Sequence, residues 1–266
     1  MKLEALQVEI RPRTAGQTFS LAARMLQHRP VPLLAAWASY SVPTAALALL
    51  LLVGLDLNPW WVWLVTLTVA PLFSLPMVST AGQLVFSPSV SLGTVVRMSV
   101  SRLVPFVALF LANRVLVLLG SLALLVPGLY LWRSSWFLGP IVLLERSPMG
   151  AAFRRGQRFA AGYQGHALGH AFHAAAVLCY LVLASATLLD FLLVQVLGLS
   201  VGALAELRLY DHYVHLLGLL GFALAAPLVT LMWFFTYLDV RIRKEGWDLE
   251  LAFRARASEL GGARGL

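Results

Sequence analysis

The chain has 266 residues, of which 60% are hydrophobic and only 12% are charged, and its mean hydropathy is +0.81. Charged residues make up about a quarter of an ordinary soluble domain, so this composition excludes one and favours a polytopic membrane protein. The net charge of +8 does not indicate a nucleic-acid partner, because the basic residues flank the hydrophobic stretches, where they set topology and meet anionic headgroups.

Residues 1–30 are polar and contain no apolar core followed by a cleavage site, so we expect no signal peptide. Thr14 and Gln17 fit a capping box, and apolar residues then recur at helical spacing. These apolar residues are Phe19, Ala22, Ala23 and Leu26. The pattern predicts a cytoplasmic amphipathic helix, which either lies in the membrane surface or covers the end of the bundle.

Six apolar stretches follow, each near the length of about 18 residues that is needed to cross a bilayer core. They are 32–54, 60–80, 104–125, 127–145, 174–197 and 214–238. The predicted fold is therefore all-α, a bundle of about six transmembrane helices in residues 31–238. The arm 1–30 precedes this domain, and a tail of mixed charge, 239–266, follows it.

Two basic residues lie inside the predicted spans, where an unpaired charge costs ~2.5–3.5 kcal/mol on insertion scales. Arg114 follows Asn113 near the middle of the third span, and no acidic residue lies at its level. A backbone carbonyl, a water or the phosphate of an inserted lipid could satisfy it. Arg133 lies at nearly the same depth as Asp190, so we predict that the two side chains pair, either as a structural salt bridge or within a polar pathway.

The orientation follows from the other basic residues. Nearly all of them lie in the N-terminal arm, the second and fourth loops and the tail, and only Arg208 lies in a loop on the opposite side. The positive-inside rule therefore predicts that both termini are cytoplasmic. Trp60, Trp61 and Trp63 then begin the second span from the outside.

Two further segments carry an apolar face opposite a charged one. In the fourth loop, Met149, Ala152, Phe153 and Phe159 oppose three arginines, and residues 247–260 repeat the pattern. We expect interfacial helices here as well. The basic residues predicted to face lipid headgroups or a partner protein are Arg154, Arg155, Arg158, Arg241, Arg243 and Lys244. Four nearby acidic residues, Asp239, Glu245, Asp248 and Glu250, predict salt bridges that hold the tail under the bundle.

His166, His170 and His173 share one helix face, which is a weak candidate for a metal site. No carboxylate or Cys lies nearby on that helix, and the single Cys179 lies in an apolar stretch, so a packing role is the alternative and we expect no metal or cofactor. Asp211, His212 and His215 form a second group on the opposite side. The sequence contains no nucleophile elbow, phosphate-binding glycine loop or paired carboxylates, and we therefore expect no enzyme.

Four segments resemble the membrane domain of the bacterial glycerophosphodiester phosphodiesterases and the stand-alone relatives of that domain. The segments are Ile10–Gly16, Val126–Glu145, Ala152–Gly162 and Tyr237–Glu250. In that family the membrane domain precedes a catalytic barrel, which this sequence lacks. The resemblance therefore implies a membrane module in a bacterial cytoplasmic membrane, without the phosphodiesterase activity.

Three functional hypotheses remain open. The first is a non-enzymatic scaffold or accessory subunit that binds anionic lipid and a partner protein through its basic cytoplasmic face. The second is a transporter or permeation pathway for a polar or anionic solute or lipid, built around Arg114, Arg133 and Asp190. The third is a lipid-headgroup enzyme that uses the face of His166 to His173.

Overall fold

The computed structural model describes residues 12–87, 90–145, 147–161, 164–198 and 212–246. Every regular element within these residues is helical, and none is a strand. The tail helix expected at 247–260, together with Arg208 and Asp211, lies outside the described residues. The ten α-helices in the described ranges are α1 Ala15–His28, α2 Pro30–Leu49, α3 Pro59–Val69, α4 Leu75–Phe86, α5 Leu92–Ala123, α6 Leu125–Ser134, α7 Leu138–Leu144, α8 Met149–Ala161, α9 Gln164–Phe191 and α10 Tyr213–Glu245.

Local signals in the sequence explain several of the helix ends. The predicted capping box is confirmed, since the Thr14 hydroxyl accepts from the Gln17 amide and the Gln17 side chain accepts from the Thr14 amide. Asn58 caps α3 by accepting from the Trp60 amide at 3.0 Å. At the other end of the chain, Gly246 terminates α10 in the left-handed conformation with φ of 57°, which glycine adopts without steric cost.

Five helical stretches within the described residues are long enough and apolar enough to cross a membrane. They are Pro30–Gly54, Pro59–Val85, Leu92–Ala123, Leu168–Val196 and Tyr213–Glu245. These stretches support a multi-pass membrane protein. The first and fourth stretches end in a π-helical turn, at Leu50–Gly54 and Leu192–Val196. The stretch Pro59–Val85 contains a 3₁₀ turn at Ala70–Ser74, where Pro71 interrupts the α-helix.

The fourth predicted span, 127–145, is not one continuous helix. Helix α6, a 3₁₀ turn at Ser135–Phe137 and helix α7 follow one another in this region. Neither α6 nor α7 alone reaches the length that a spanning helix needs. A sixth crossing therefore remains a prediction.

Helix α10 is the centre of the bundle, and it packs against α9, α2, α1 and α4. The approach to α9 is close, because a Cβ on Gly221 would lie 2.7 Å from the Val182 carbonyl oxygen. On the α2 side, the Ser41 hydroxyl donates to the Ala223 carbonyl at 2.7 Å. Helices α5 and α6 form a hairpin, and α9 packs mainly on α10.

Helices α1 and α8 turn their apolar faces toward the bundle. Ala22 and Met25 of α1 and Ala152 and Phe159 of α8 are buried in the main hydrophobic core. This packing favours the prediction that the two helices cover one end of the bundle. We call this end the basic end; it comprises α1, α8 and residues 237–246 of α10.

Candidate functional site

A cavity of about 360 Å³ lies in the middle of the bundle. Its wall is formed by helices α2, α5, α9 and α10, by the 3₁₀ turn at Ala70–Ser74 and by the segment from α6 to α7. The lining is mainly aromatic and small apolar side chains, among them Tyr40, Phe106, Phe110, Trp132, Trp136, Ala171, Ala174, Ala175, Trp233 and Phe234. Such a lining suits an apolar group.

Arg114 is the charged residue among the described residues that line this cavity. Its guanidinium lies over the Phe110 ring, 4.6 Å from the centroid. Its buried Nε atom has no hydrogen-bond partner among the described residues, and no described carboxylate pairs with it. A cation in this setting is costly, and a bound anion would offset that cost.

The neighbour Asn113 has a structural role. Its side chain is 1% exposed, and its Nδ2 donates to the Leu131 carbonyl at 3.3 Å. This bond ties α5 to α6 one residue before Arg114, so it fixes the helix face from which Arg114 reaches the cavity.

The predicted pair of Arg133 and Asp190 stays a prediction. Arg133 lies in α6, and its side chain is not among those that the structure describes. Asp190 lies near the end of α9, where its carboxylate accepts from the Tyr213 hydroxyl at 2.7 Å. Asp190 therefore has a partner on α10, and it does not line the cavity that contains Arg114.

Three hydroxyl groups in the cavity wall donate to carbonyls three or four residues earlier in the chain. Ser74 donates to the Pro71 carbonyl, Ser135 to that of Trp132 and Thr230 to that of Ala226. The Tyr40 hydroxyl bonds with the Thr230 side chain on α10. Arg114 is the charged side chain of the described lining, and the arrangement supports binding of a ligand.

A chain of aromatic rings joins the cavity to the basic end. Trp136 contacts Trp233 with centroids 5.2 Å apart, and Trp233 contacts Phe137 at 5.9 Å. Phe137 in turn contacts Tyr237 at 6.5 Å. The Tyr237 hydroxyl donates to Glu145 Oε1 at 2.6 Å, so the aromatic chain ends in a cluster of charges.

In that cluster, two carboxylates are paired with two arginines. Arg155 of α8 pairs with Glu145 at the end of α7 and, at 2.6 Å, with Glu245 of α10. Arg241 pairs with the same Glu245 at 3.1 Å. The cluster therefore joins three helices at the basic end.

A second set of contacts holds the start of α1. Asp239 is 1% exposed, and it accepts from the Arg13 amide at 2.6 Å and from Arg243 Nε at 3.0 Å. Lys244 Nζ donates to the Arg158 and Phe159 carbonyls at the end of α8. The predicted salt bridges thus form for Asp239 and Glu245, whereas Asp248 and Glu250 lie outside the described residues.

The predicted docking face at the basic end stays a prediction. Arg155, Arg241, Arg243 and Lys244 were predicted to face lipid or a partner, and they also make ion pairs or hydrogen bonds within the protein. Arg241 and Arg243 pair with acidic residues of their own helix, Arg155 pairs with Glu145 and Glu245, and Lys244 reaches the end of α8. Arg154 and Arg158 do point outward, since both side chains are exposed on α8.

The histidines take packing positions. His170 is 3% exposed, and its Nδ1 lies 3.1 Å from the Thr236 hydroxyl. His173 packs edge-on against Phe19, and the side chain of His166 is not described. No group of three metal-ligating side chains occurs within the described part of the chain. In the second group, His212 lies 3.1 Å from Asp56 and His215 accepts from the Trp63 ring at 3.3 Å.

Sequence reasoning found Arg114 but missed the cavity around it. The room comes from small residues on one face of α9, namely Ala171, Ala174 and Ala175, opposite the large rings of α5 and α6. The alanine spacing was visible in the sequence. Which helix those alanines face is decided by tertiary packing, which one sequence does not state.

No family model, no curated protein and no solved structure matches this chain.

Proposed function

We propose that this chain is a membrane carrier that binds, inside the bilayer, an amphiphile with a phosphate or carboxylate group. The observation that carries the proposal is Arg114, a guanidinium beside an apolar cavity with no anion among the described residues to pair with. Guanidinium groups bind phosphate and carboxylate through paired hydrogen bonds, and the aromatic lining suits the apolar part of the ligand.

The proposal includes a membrane arrangement. Both termini are cytoplasmic, following the positive-inside pattern, and the segment from α6 to α7 makes a sixth crossing. In this arrangement the basic end faces the cytoplasm of a bacterial cell. Arg114 lies nine residues from the end of α5, which at 1.5 Å per residue is roughly 14 Å from the opposite surface and so near mid-depth. The proposal also includes a relationship of this chain to the phosphodiesterase membrane domain that its sequence resembles.

The test is a titration of the purified protein with lysophosphatidic acid, followed by native mass spectrometry. Arg114→Gln should weaken binding at least ten-fold, and Arg114→Lys should weaken it less, because lysine keeps the charge but loses the paired geometry. Arg154→Gln is the matched control, since Arg154 is exposed on α8, and it should bind as the parent does. Lysophosphatidylcholine, which carries no net charge, should bind weakly to all four proteins.

Protein stability separates ligand binding from a structural role. Arg114→Gln removes a charge that has no described partner, so the apparent melting temperature without ligand should be unchanged or higher. A clear loss of stability would assign Arg114 to the architecture of the bundle. Equal binding of lysophosphatidic acid by the parent and Arg114→Gln would contradict the proposal.

A second candidate is the scaffold that binds lipid and a partner protein, and the exposure of Arg154 and Arg158 favours it. Neutralising both residues should then abolish recovery of a co-purified protein, whereas Arg114→Gln should leave recovery intact. If the chain is a carrier, Arg114→Gln should weaken lipid binding, whereas neutralising Arg154 and Arg158 should leave it intact. The two candidates are therefore distinguished by the same three substitutions.

A further inference from the structure

We infer that the ligand is a membrane lipid, and that it enters the cavity sideways from the bilayer through an opening between α6 and α9. This inference rests on the proposed function, because it names the source of the anion that Arg114 binds. The anion that Arg114 binds is then a lipid headgroup. A free phosphate compound is the alternative source of the same chemistry.

Helix packing leaves the cavity open between α6 and α9. Helix α9 packs mainly on α10, and α6 packs mainly on α5. Across the described residues, no extensive packing joins α9 to α5 or to α6, although residues of all three helices line the cavity. The space between these helices is the cavity itself, and its outer side faces away from the bundle.

Residues at the edge of this opening are exposed. Trp132 of α6 lines the cavity and is 43% exposed. Ala175 of α9 lines it from the opposite side and is also exposed. Ala175 lies seven residues into the spanning stretch Leu168–Val196, roughly 10 Å along the helix, which places it inside the hydrocarbon core in the proposed arrangement. The opening therefore meets acyl chains and not water.

Buried side chains close both ends of the cavity along the bundle axis. Toward the basic end, Phe137 and Tyr237 are fully buried and Phe159 is 3% exposed. Toward the other end, a second cluster contains Tyr40 at 3% and Phe222 at 5% exposure. A water-soluble anion would have to cross one of these clusters, whereas a lipid can leave its acyl chain in the opening while its headgroup reaches Arg114.

The experiment blocks the opening without touching Arg114. Ala175→Trp places a large side chain at the edge, and Ala175→Leu places a smaller one. Ala176→Trp is the matched control, because Ala176 is the next residue of α9, is exposed, and is not part of the lining. All variants are reconstituted in phosphatidylcholine nanodiscs, and their melting temperatures are compared with that of the parent.

The probe is lysophosphatidic acid with a brominated acyl chain, which quenches the fluorescence of Trp132, Trp136 and Trp233 when it occupies the cavity. The affinity in Ala175→Trp should fall at least ten-fold and in Ala175→Leu by less, while Ala176→Trp should match the parent after correction for the added tryptophan. Glycerol 3-phosphate, which has the same headgroup chemistry without a chain, should neither bind nor displace the probe. Native mass spectrometry provides a readout that is independent of the added tryptophan.

The outcomes separate the two proposals. If Ala175→Trp and Ala175→Leu remain folded and bind the probe as the parent does, while Arg114→Gln does not, sideways entry is wrong and the anion site stands. If glycerol 3-phosphate binds Arg114-dependently and as tightly as the lipid, the anion comes from water and the lipid inference is wrong. If Arg114→Gln binds the lipid normally, the proposed function itself fails.

Discussion

Asp239 and Arg114 are two charged residues of the bundle, and they differ in the hydrogen bonds and ion pairs that surround them. Asp239 is fully surrounded, and it receives an amide proton from Arg13 and an ion pair from Arg243. Arg114 has an aromatic ring as its described neighbour. A charge with complete partners stabilises the architecture, whereas a charge that lacks a counter-ion beside a cavity is suited to a ligand. This difference is why we assign a structural role to the first residue and binding to the second.

Asp239→Ala tests the structural role. It removes the acceptor of the Arg13 amide and of Arg243 Nε, so the free energy of unfolding should fall by about 3 kcal/mol. Unfolding in a denaturing detergent, followed by circular dichroism, measures the change. Glu245→Ala is the control, because Glu245 is 28% exposed and ion pairs of this kind contribute about 1 kcal/mol or less. Equal losses in the two variants would show that burial of Asp239 has no special weight.

Some of these residue roles could be predicted from the sequence. The capping box of Thr14 and Gln17 depends only on neighbours along the chain, and so does the pairing of Arg241 with Glu245 one helical turn away. The contacts of Asp239 with Arg13 and of Arg155 with Glu245 join segments far apart in sequence. For that reason the sequence could not indicate these two pairings, although it predicted that the tail would form salt bridges.

At the scale of elements, the hairpin of α5 and α6 depends on one glycine. A Cβ on Gly128 would lie 2.8 Å from both the backbone nitrogen and the Cα of Ser121, and backbone atoms cannot rotate away. Gly128→Ala should therefore push α6 from α5 and lower the free energy of unfolding by about 1–3 kcal/mol. The melting temperature of the purified protein measures this effect.

Gly169→Ala is the comparison for that measurement. A Cβ on Gly169 would meet no atom within 4 Å, and alanine has the higher helix propensity. This variant should be as stable as the parent or slightly more stable. If Gly128→Ala also leaves stability unchanged, the close approach in the hairpin is not a determinant of the fold.

The helices themselves were largely predictable, because long apolar runs bounded by charged or turn residues have few other interpretations. Their internal breaks were not. The 3₁₀ turn at Ser135–Phe137 divides the segment 127–145 without a proline at the break. Its last residue, Phe137, is fully buried among Phe159, Trp233 and Tyr237. The interruption therefore reflects packing against other helices and leaves no local signal in the sequence.

At the scale of the whole molecule, the proposed orientation can be tested with cysteine labelling. In a Cys179→Ala background, Leu57→Cys lies in the loop between α2 and α3 and Arg154→Cys lies on α8, and both positions are exposed. A membrane-impermeant maleimide should label Leu57→Cys in intact cells and label Arg154→Cys only after permeabilisation. The opposite pattern would reverse the orientation, and with it the side on which the basic end lies.

The central position of α10 has a consequence for assembly of the protein in the cell. This helix follows every other described helix in the sequence, so the ribosome delivers it last. Before α10 is made, Ser41 of α2 lacks its acceptor, the Ala223 carbonyl. Helix α9 likewise lacks the surface at Gly221 against which it packs. The hairpin of α5 and α6 can form before α10 is made, whereas the packing of α2 and α9 on the core is completed only in a late step, after α10 has entered the bilayer.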